Sequence, residues 1–162
     1  MEVRLARLDD AEAIRAIYNL EVTTSTATFD LVPRSLSKQQ HWLADRSGAH
    51  AVVVATADDR QVVGFASLSP YRDRPAYRTT VEDSVYVHPG HQGTGVGAQL
   101  LAELLVVASA HGFHAVMARI VGGHEASMAL HARHGFALVG IERQVGRKFG
   151  RWLDVAVMQR LL

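Results

Sequence analysis

The residues with the most chemistry in them run from Val85 to Gly97, in the order Val-Tyr-Val-His-Pro-Gly-His-Gln-Gly-Thr-Gly-Val-Gly. An alternating β-rich run feeds a glycine-rich turn, and the turn feeds a long apolar helix pattern. Glycine lets backbone N–H groups converge on a ligand at close range. The start of a helix adds unsatisfied donors and the positive end of its dipole. Such an arrangement suits an anion, a pyrophosphate above all. A plain strand-to-helix turn needs fewer glycines than Gly93, Gly95 and Gly97 supply. A P-loop requires Lys and then Ser or Thr after its last glycine, and Ala98 and Gln99 stand there instead. Gly93, Gly95 and Ala98 loosely satisfy a dinucleotide fingerprint. That fingerprint also wants an acid at the end of the next strand. The chain has Arg119-Ile120-Val121 there and no acid before Glu125, so the dinucleotide reading is weakened and stays open.

Other chemistries are narrowed by what is present. There is no cysteine, which removes thiolate ligands, disulfides and a cysteine nucleophile. The histidine pairs 88/91, 111/114 and 131/134 are spaced i, i+3, whereas a helical zinc pair wants i, i+4 and a third ligand; no metal is expected. Arg143 to Trp152 is basic with interleaved aromatics, as nucleic-acid surfaces are. Yet 17 basic against 16 acidic residues leave a net charge of only +1, so neither nucleic acid nor an anionic membrane is an expected partner. The N-terminus lacks an apolar signal core, and the greasy run 100–110 is too short to span a bilayer, so a cytoplasmic location is expected.

A chain of 162 residues is expected to form one domain, 1–162. The elements that must hold the glycine loop are readable. A short strand around Val3 and Leu5 leads to Asp9-Asp10, an acidic start for a helix carrying Ile14, Ile17 and Tyr18. Ser35 or Ser37 can cap a second helix through Trp42 and Leu43. Runs 51–55 and 62–68, parted by Asp58-Asp59-Arg60, spell a hairpin. Residues 79–88 alternate, placing Asp83 with Val81, Val85 and Val87 on one face and Glu82 with Ser84 and Tyr86 on the other. A helix carrying the stripe Leu100, Leu101, Leu104, Leu105 and Ala108 and ending at Gly112, a strand over 115–121, a helix over 126–134 and strands over 136–141 and 153–161 complete the order βααβββαβαββ. Hairpins together with a crossover predict an α/β (α+β) fold with a mixed sheet.

The register Gln92-x-x-Gly95-x-Gly97 resembles the acetyl-CoA loop of the GNAT N-acetyltransferase superfamily. The resemblance tightens to the phosphinothricin and methionine sulfoximine acetyltransferase family through residues spread over nearly the whole chain. They include Tyr18-Asn19, Thr24-Ser25-Thr26-Ala27-x-Phe29, Tyr77-Arg78-x-Thr80-x-Glu82-x-Ser84-Val85-Tyr86-Val87, Ala126-Ser127-x-x-Leu130-His131 and Val145-Gly146-Arg147-Lys148-Phe149-Gly150-Arg151-Trp152.

The resemblance implies a GNAT fold: a mixed, mostly antiparallel twisted sheet with helices on both faces and one strand splayed from its neighbour. The free main chain of Val85, Tyr86 and Val87 would pair with the pantetheine arm. The loop Gln92, Gly93, Thr94, Gly95, Val96, Gly97 and Ala98 would hold the pyrophosphate. His124 stands where the family usually has an Asn that touches the cofactor, and Ser127 either caps its helix or touches the cofactor. Acetyl-CoA is the implied cosubstrate, and the implied partners are a small amino-acid-like acceptor and a second copy of the chain. Acylating an amine requires a proton acceptor, and Glu82 matches the family's carboxylate. His131 takes the place where many members have a Tyr acid for the departing thiolate. Phe29 and Tyr77 would wall the acceptor, and Arg72, Arg74 and Arg78 can grip its carboxylate or phosphinate. With no cysteine to carry the acetyl group, direct transfer is expected. Two alternatives remain: a protein or peptide N-acetyltransferase, and a CoA-binding module without catalysis.

Overall fold

The computed structural model describes residues 1–46 and 48–162. Seven strands and four helices follow in the order β1 (Glu2–Leu5), α1 (Ala11–Thr24), α2 (Leu36–Ala44), β2 (Val52–Thr56), β3 (Val62–Pro70), β4 (Thr80–Val87), α3 (Val96–Ala110), β5 (Ala115–Val121), α4 (Glu125–Arg133), β6 (Ala137–Lys148) and β7 (Arg151–Leu161). This is the order expected from the hydrophobic pattern. The helix starts follow local chemistry. The Ser35 hydroxyl accepts from the Lys38 N–H at 3.2 Å and caps α2. Asp10 grips Arg4 with both carboxylate oxygens, at 2.8 and 2.9 Å, and accepts the Arg7 N–H at the entry to α1.

The sheet order is β1-β2-β3-β4-β5-β7-β6. Every pairing is antiparallel except β4 with β5. The sheet is therefore mixed and mostly antiparallel, and its centre is apolar on both faces: every residue of β2 is buried. On one face the stripe Leu100, Leu101, Leu104 and Ala108 of α3 packs on Val53, Ala66, Leu68 and Val81. On the other, Ile14, Ile17, Tyr18 and Val22 of α1 pack with Leu43, Val54 and Phe65. Gly64 lets α3 approach this closely, since a Cβ there would lie 3.0 Å from Leu100 Cδ1 and 3.1 Å from Val96 Cγ1.

The C-terminal hairpin runs longer than its apolar pattern suggests. β6 continues to Lys148, with register irregularities between Leu138 and Gly140 and between Glu142 and Gly146. Those bulges interrupt the two-residue period that a strand reading depends on.

Candidate functional site

The parallel β4–β5 pairing covers only Thr80↔Ala115, Val81↔Val116 and Glu82↔Met117. Beyond Glu82 the two strands part, and a cleft of about 1030 Å³ opens between them. The His88 N–H donates to Val63 O on β3 at 2.9 Å. Main-chain groups alternate in direction along a strand, so the N–H groups of Val85 and Val87 turn away from β3, toward the opening. The carbonyl of Val87 already accepts from Gln92 Nε2 at 3.1 Å on that side.

The glycine loop closes one end of the cleft. Gly93 and Gly95 have φ of 76° and 91°, left-handed values that favour glycine. Gly95 is the N-cap of α3 and offers no side-chain cap, so the first intrahelical acceptance is Gln99 N–H to Gly95 O at 3.2 Å. The N–H groups of Val96, Gly97 and Ala98 are therefore the unsatisfied donors of a helix start. The expected residues Val85, Tyr86, Val87, Gln92, Gly93, Gly95, Gly97, Ala98, His124 and Ser127 all line this cleft. Thr94 and Val96 do not. The Thr94 hydroxyl donates to His91 O at 2.7 Å, and the Val96 side chain is buried in the α3 core, so only its backbone N–H faces the loop's concavity. A pyrophosphate fits these donors, which no side chain occupies.

Glu82 lines the cleft where the strands part. Burial pushes its carboxyl above the usual carboxylate range; Arg119 and Arg72 oppose that rise, and the charges of Asp83 and Glu142 add to it. A carboxylate raised toward neutrality is suited to take a proton from an amine. The two faces of β4 are as the alternation indicates. Glu82 and Asp83 leave β4 on opposite faces, and both line the cleft, Asp83 buried against His131, which lines it too.

His131 presents a geometry that the helical pattern does not reveal. Its Nε2 lies 2.9 Å from Asp83 Oδ2 and its Nδ1 2.7 Å from Ser127 O. Ser127 O can only accept, so Nδ1 donates; with Asp83 ionised, Nε2 donates as well and the ring carries both protons. Burial alone would lower its pKa, but the bond and charge of Asp83 outweigh that and raise it. No ring N–H is spare for a thiolate; a proton leaving Nε2 must break the Asp83 bond.

The acceptor residues divide. Phe29 lines the cleft, whereas Arg72, Arg74, Tyr77 and Arg78 lie off its wall. Arg72 is stacked over Tyr71 and Tyr77, at 4.9 and 5.8 Å from their ring centres, and is felt by Glu82 only as a charge. Sequence reasoning missed Arg119, which does line the cleft beside Glu82 and pairs with Glu142 of β6. The signal was a lone charged residue, exposed, in the otherwise buried strand 115–121.

Phe29 is held from behind by β6. A Cβ on Gly146 would lie 2.3 Å from Phe29 Cζ, so the ring lies directly on the strand's backbone. Next to it Lys148, buried, donates from Nζ to Thr28 O at 2.8 Å. Burial lowers the Lys148 pKa, while the Asp30 and Glu21 charges oppose it. The loop also reaches α4 through Thr26 Oγ1, 2.9 Å from His124 Nε2.

The model of the acetyltransferase (GNAT) family matches residues 14–136. The chain belongs to the GNAT acetyltransferase family. Among relatives, the acetyltransferase is 41% identical to the phosphinothricin N-acetyltransferase of Streptomyces coelicolor, covering 100% of this chain and 96% of that one. It is likewise 41% identical to the L-methionine sulfoximine/L-methionine sulfone acetyltransferase of Pseudomonas aeruginosa, over 97% of this chain and 92% of that one. A crystal structure of a GNAT superfamily phosphinothricin acetyltransferase from Sinorhizobium meliloti, in complex with AcCoA, superposes with a TM-score of 0.96 at 40% identity, covering 99% of this chain and 88% of that one. The GNAT fold expected from the resemblance is thus the fold observed.

Proposed function

We propose that residues 1–162 act as one acetyl-CoA-dependent N-acetyltransferase domain that acetylates the α-amino group of a small amino-acid analogue of the phosphinothricin or methionine sulfoximine kind. The observation that carries this reading is a single cleft holding both a half-buried carboxylate with a raised pKa, Glu82, and a helix start with bare N–H donors, Val96 to Ala98. The names of the relatives support the acceptor class.

In this reading the backbone N–H groups of the glycine loop and of α3 hold the pyrophosphate, with Gln92 and Thr94 shaping the loop. The open edge of Val85, Tyr86 and Val87 pairs with the pantetheine arm, and His124 and Ser127 border it. Acetyl-CoA supplies an activated acetyl thioester there. The N–H groups of Val85 and Val87 that face the opening donate to the thioester carbonyl oxygen, where fixed donors are most effective. Glu82 accepts the proton of the acceptor's ammonium, directly or through one water. His131 gives its Nε2 proton to the departing thiolate as the C–S bond breaks and its bond to Asp83 opens, and the second proton shed by the acylated nitrogen restores it. Phe29 walls the acceptor and Arg119 faces its carboxylate. Arg72, Arg74, Tyr77 and Arg78 lie in the adjoining loop and reach the acceptor only by a movement of that loop. We further propose transfer without an acetyl-enzyme, a cytoplasmic setting and a homodimer joined through the C-terminal hairpin, where Phe149 and Trp152 are exposed.

The test is CoA thiol release across a panel of amino acids, amino-acid analogues and peptides. Turnover with phosphinothricin or methionine sulfoximine above that with peptides is the expected result. Turnover with peptides alone would replace the acceptor class, and acetyl-CoA binding without any thiol release would reduce the protein to a binding module.

A further inference from the structure

The last β4 residue paired to β5 is Glu82, opposite Met117. Asp83 is therefore the first residue past the point where the strands part. Its side chain is only 5% exposed, and it bonds to His131 of α4, itself 3% exposed. Since α4 follows directly on β5, this bond ties the β4 lip of the cleft to the element that extends the β5 lip, at the apex of the opening. The other ring nitrogen is anchored on Ser127 O in the first turn of α4, and Phe136 packs edge-on to the ring with centroids 5.0 Å apart. The first turn of α4, with His124 and Ser127 on the cleft wall, is thus linked to β4 through the His131–Asp83 bond.

We propose that Asp83 is a positioning residue for the cosubstrate: the Asp83–His131 ion pair clamps α4 against β4 and sets the gape of the cleft that receives acetyl-CoA. The inference rests on the reading above only in taking acetyl-CoA as the occupant. Removing Asp83 leaves a buried imidazole donor with no acceptor, and α4 then keeps packing and the Thr26–His124 contact but no bond to β4.

The experiment is direct titration of acetyl-CoA by calorimetry, with kcat measured at saturating cosubstrate. Asp83→Ala is expected to raise Kd at least about tenfold, with a fall in kcat beside it because His131 loses the partner that holds its Nε2 proton. Asp83→Asn keeps a carbonyl oxygen for the Nε2 donor and is expected to raise Kd about threefold, since an amide accepts less strongly than a carboxylate. In the Asp83→Ala/His131→Ala double variant Kd is expected to be no weaker than in Asp83→Ala, because the bond between α4 and β4 is already lost and no buried imidazole donor is left without an acceptor. An unchanged Kd in Asp83→Ala, or in Asp83→Asn should the alanine variant not fold, overturns the clamp. So does a collapse of kcat at unchanged Kd, which would place Asp83 in the chemistry instead. A wild-type protein that fails to bind acetyl-CoA overturns the proposed function, and the clamp of an acetyl-CoA cleft falls with it.

Discussion

On the glycine-loop side of the cleft, β4, residues 88–95 and α3 are contiguous in the chain, and the backbone makes the site: turned-out N–H groups, two left-handed glycines and an uncapped helix. On the hairpin side, Phe29, Arg119, Gly146 and Lys148 come from three separate segments, the loop after α1, β5 and β6, and side chains make the site. A backbone-built site tolerates changes of side chain but not of local conformation. A side-chain site assembled from distant segments tolerates neither a bulkier neighbour nor a lost anchor. The first suits a ligand common to a whole family; the second can be altered piece by piece to choose an acceptor.

Glu82 lies between the two sides, and its loss should have the largest effect. Glu82→Gln is expected to lower kcat by about a hundredfold to ten-thousandfold while leaving acetyl-CoA affinity in place. Its carboxyl must be ionised to act, and its pKa is raised, so the wild-type rate should climb with pH through a limb displaced above the usual carboxylate range. That limb should vanish in the variant, while the one belonging to the substrate amine remains. Stability should show the opposite sign. A raised folded-state pKa means that the native protein binds more protons than the unfolded chain above pH 4.5, so stability falls as pH rises through the shifted value. Glu82→Gln should therefore melt higher than wild type at neutral pH, with the gap closing below pH 4.5. Equal melting curves at both pH values would mean that the carboxylate is not strained by burial.

Gly95→Asp tests the backbone-built side. It forces a side chain onto φ of 91° and sets a negative charge at the start of α3, so acetyl-CoA affinity is expected to fall at least about tenfold. The acceptor KM at saturating acetyl-CoA should stay within about twofold, and calorimetry with initial-rate kinetics separates the two. Loss of acceptor binding alone would dissolve the distinction between the two sides.

Gly146→Ala tests the other side. Its Cβ would sit 2.3 Å from Phe29 Cζ, so the ring must move into the cleft or the strand must yield. A stability loss of about 1–3 kcal/mol is expected by thermal denaturation. The acceptor KM should rise while acetyl-CoA affinity holds. Lys148→Met should have the smallest effect. It removes the donor to Thr28 O, but it also removes the cost of keeping an ammonium buried, so about 1 kcal/mol or less is expected. Its signature would be a higher acceptor KM with little change in melting temperature. A shift in acetyl-CoA affinity instead would show that residues 25–30 serve the glycine-loop side.

What the amino-acid order determines by itself is local in origin. Alternation in 80–87 separates Glu82 from Asp83, a capping serine starts α2, glycines at 93 and 95 force a left-handed turn, and the stripe from Leu100 to Ala108 buries α3. Each depends on the period of one element or the torsions of one turn, so each is legible without the rest of the chain. Tertiary structure alone decides which elements share a wall. It draws Arg119 into the cleft beside Glu82 and leaves Arg74 and Arg78 off its wall, although the latter are much nearer to Glu82 in sequence. It turns His131 from an open ring on a helix into a ring bonded at both nitrogens by setting Asp83, 48 residues away, against it. It makes Gly146 a seat for Phe29 rather than an ordinary turn glycine. These outcomes depend on sheet order and on where β4 and β5 part, properties of pairing between distant segments that no window of sequence contains.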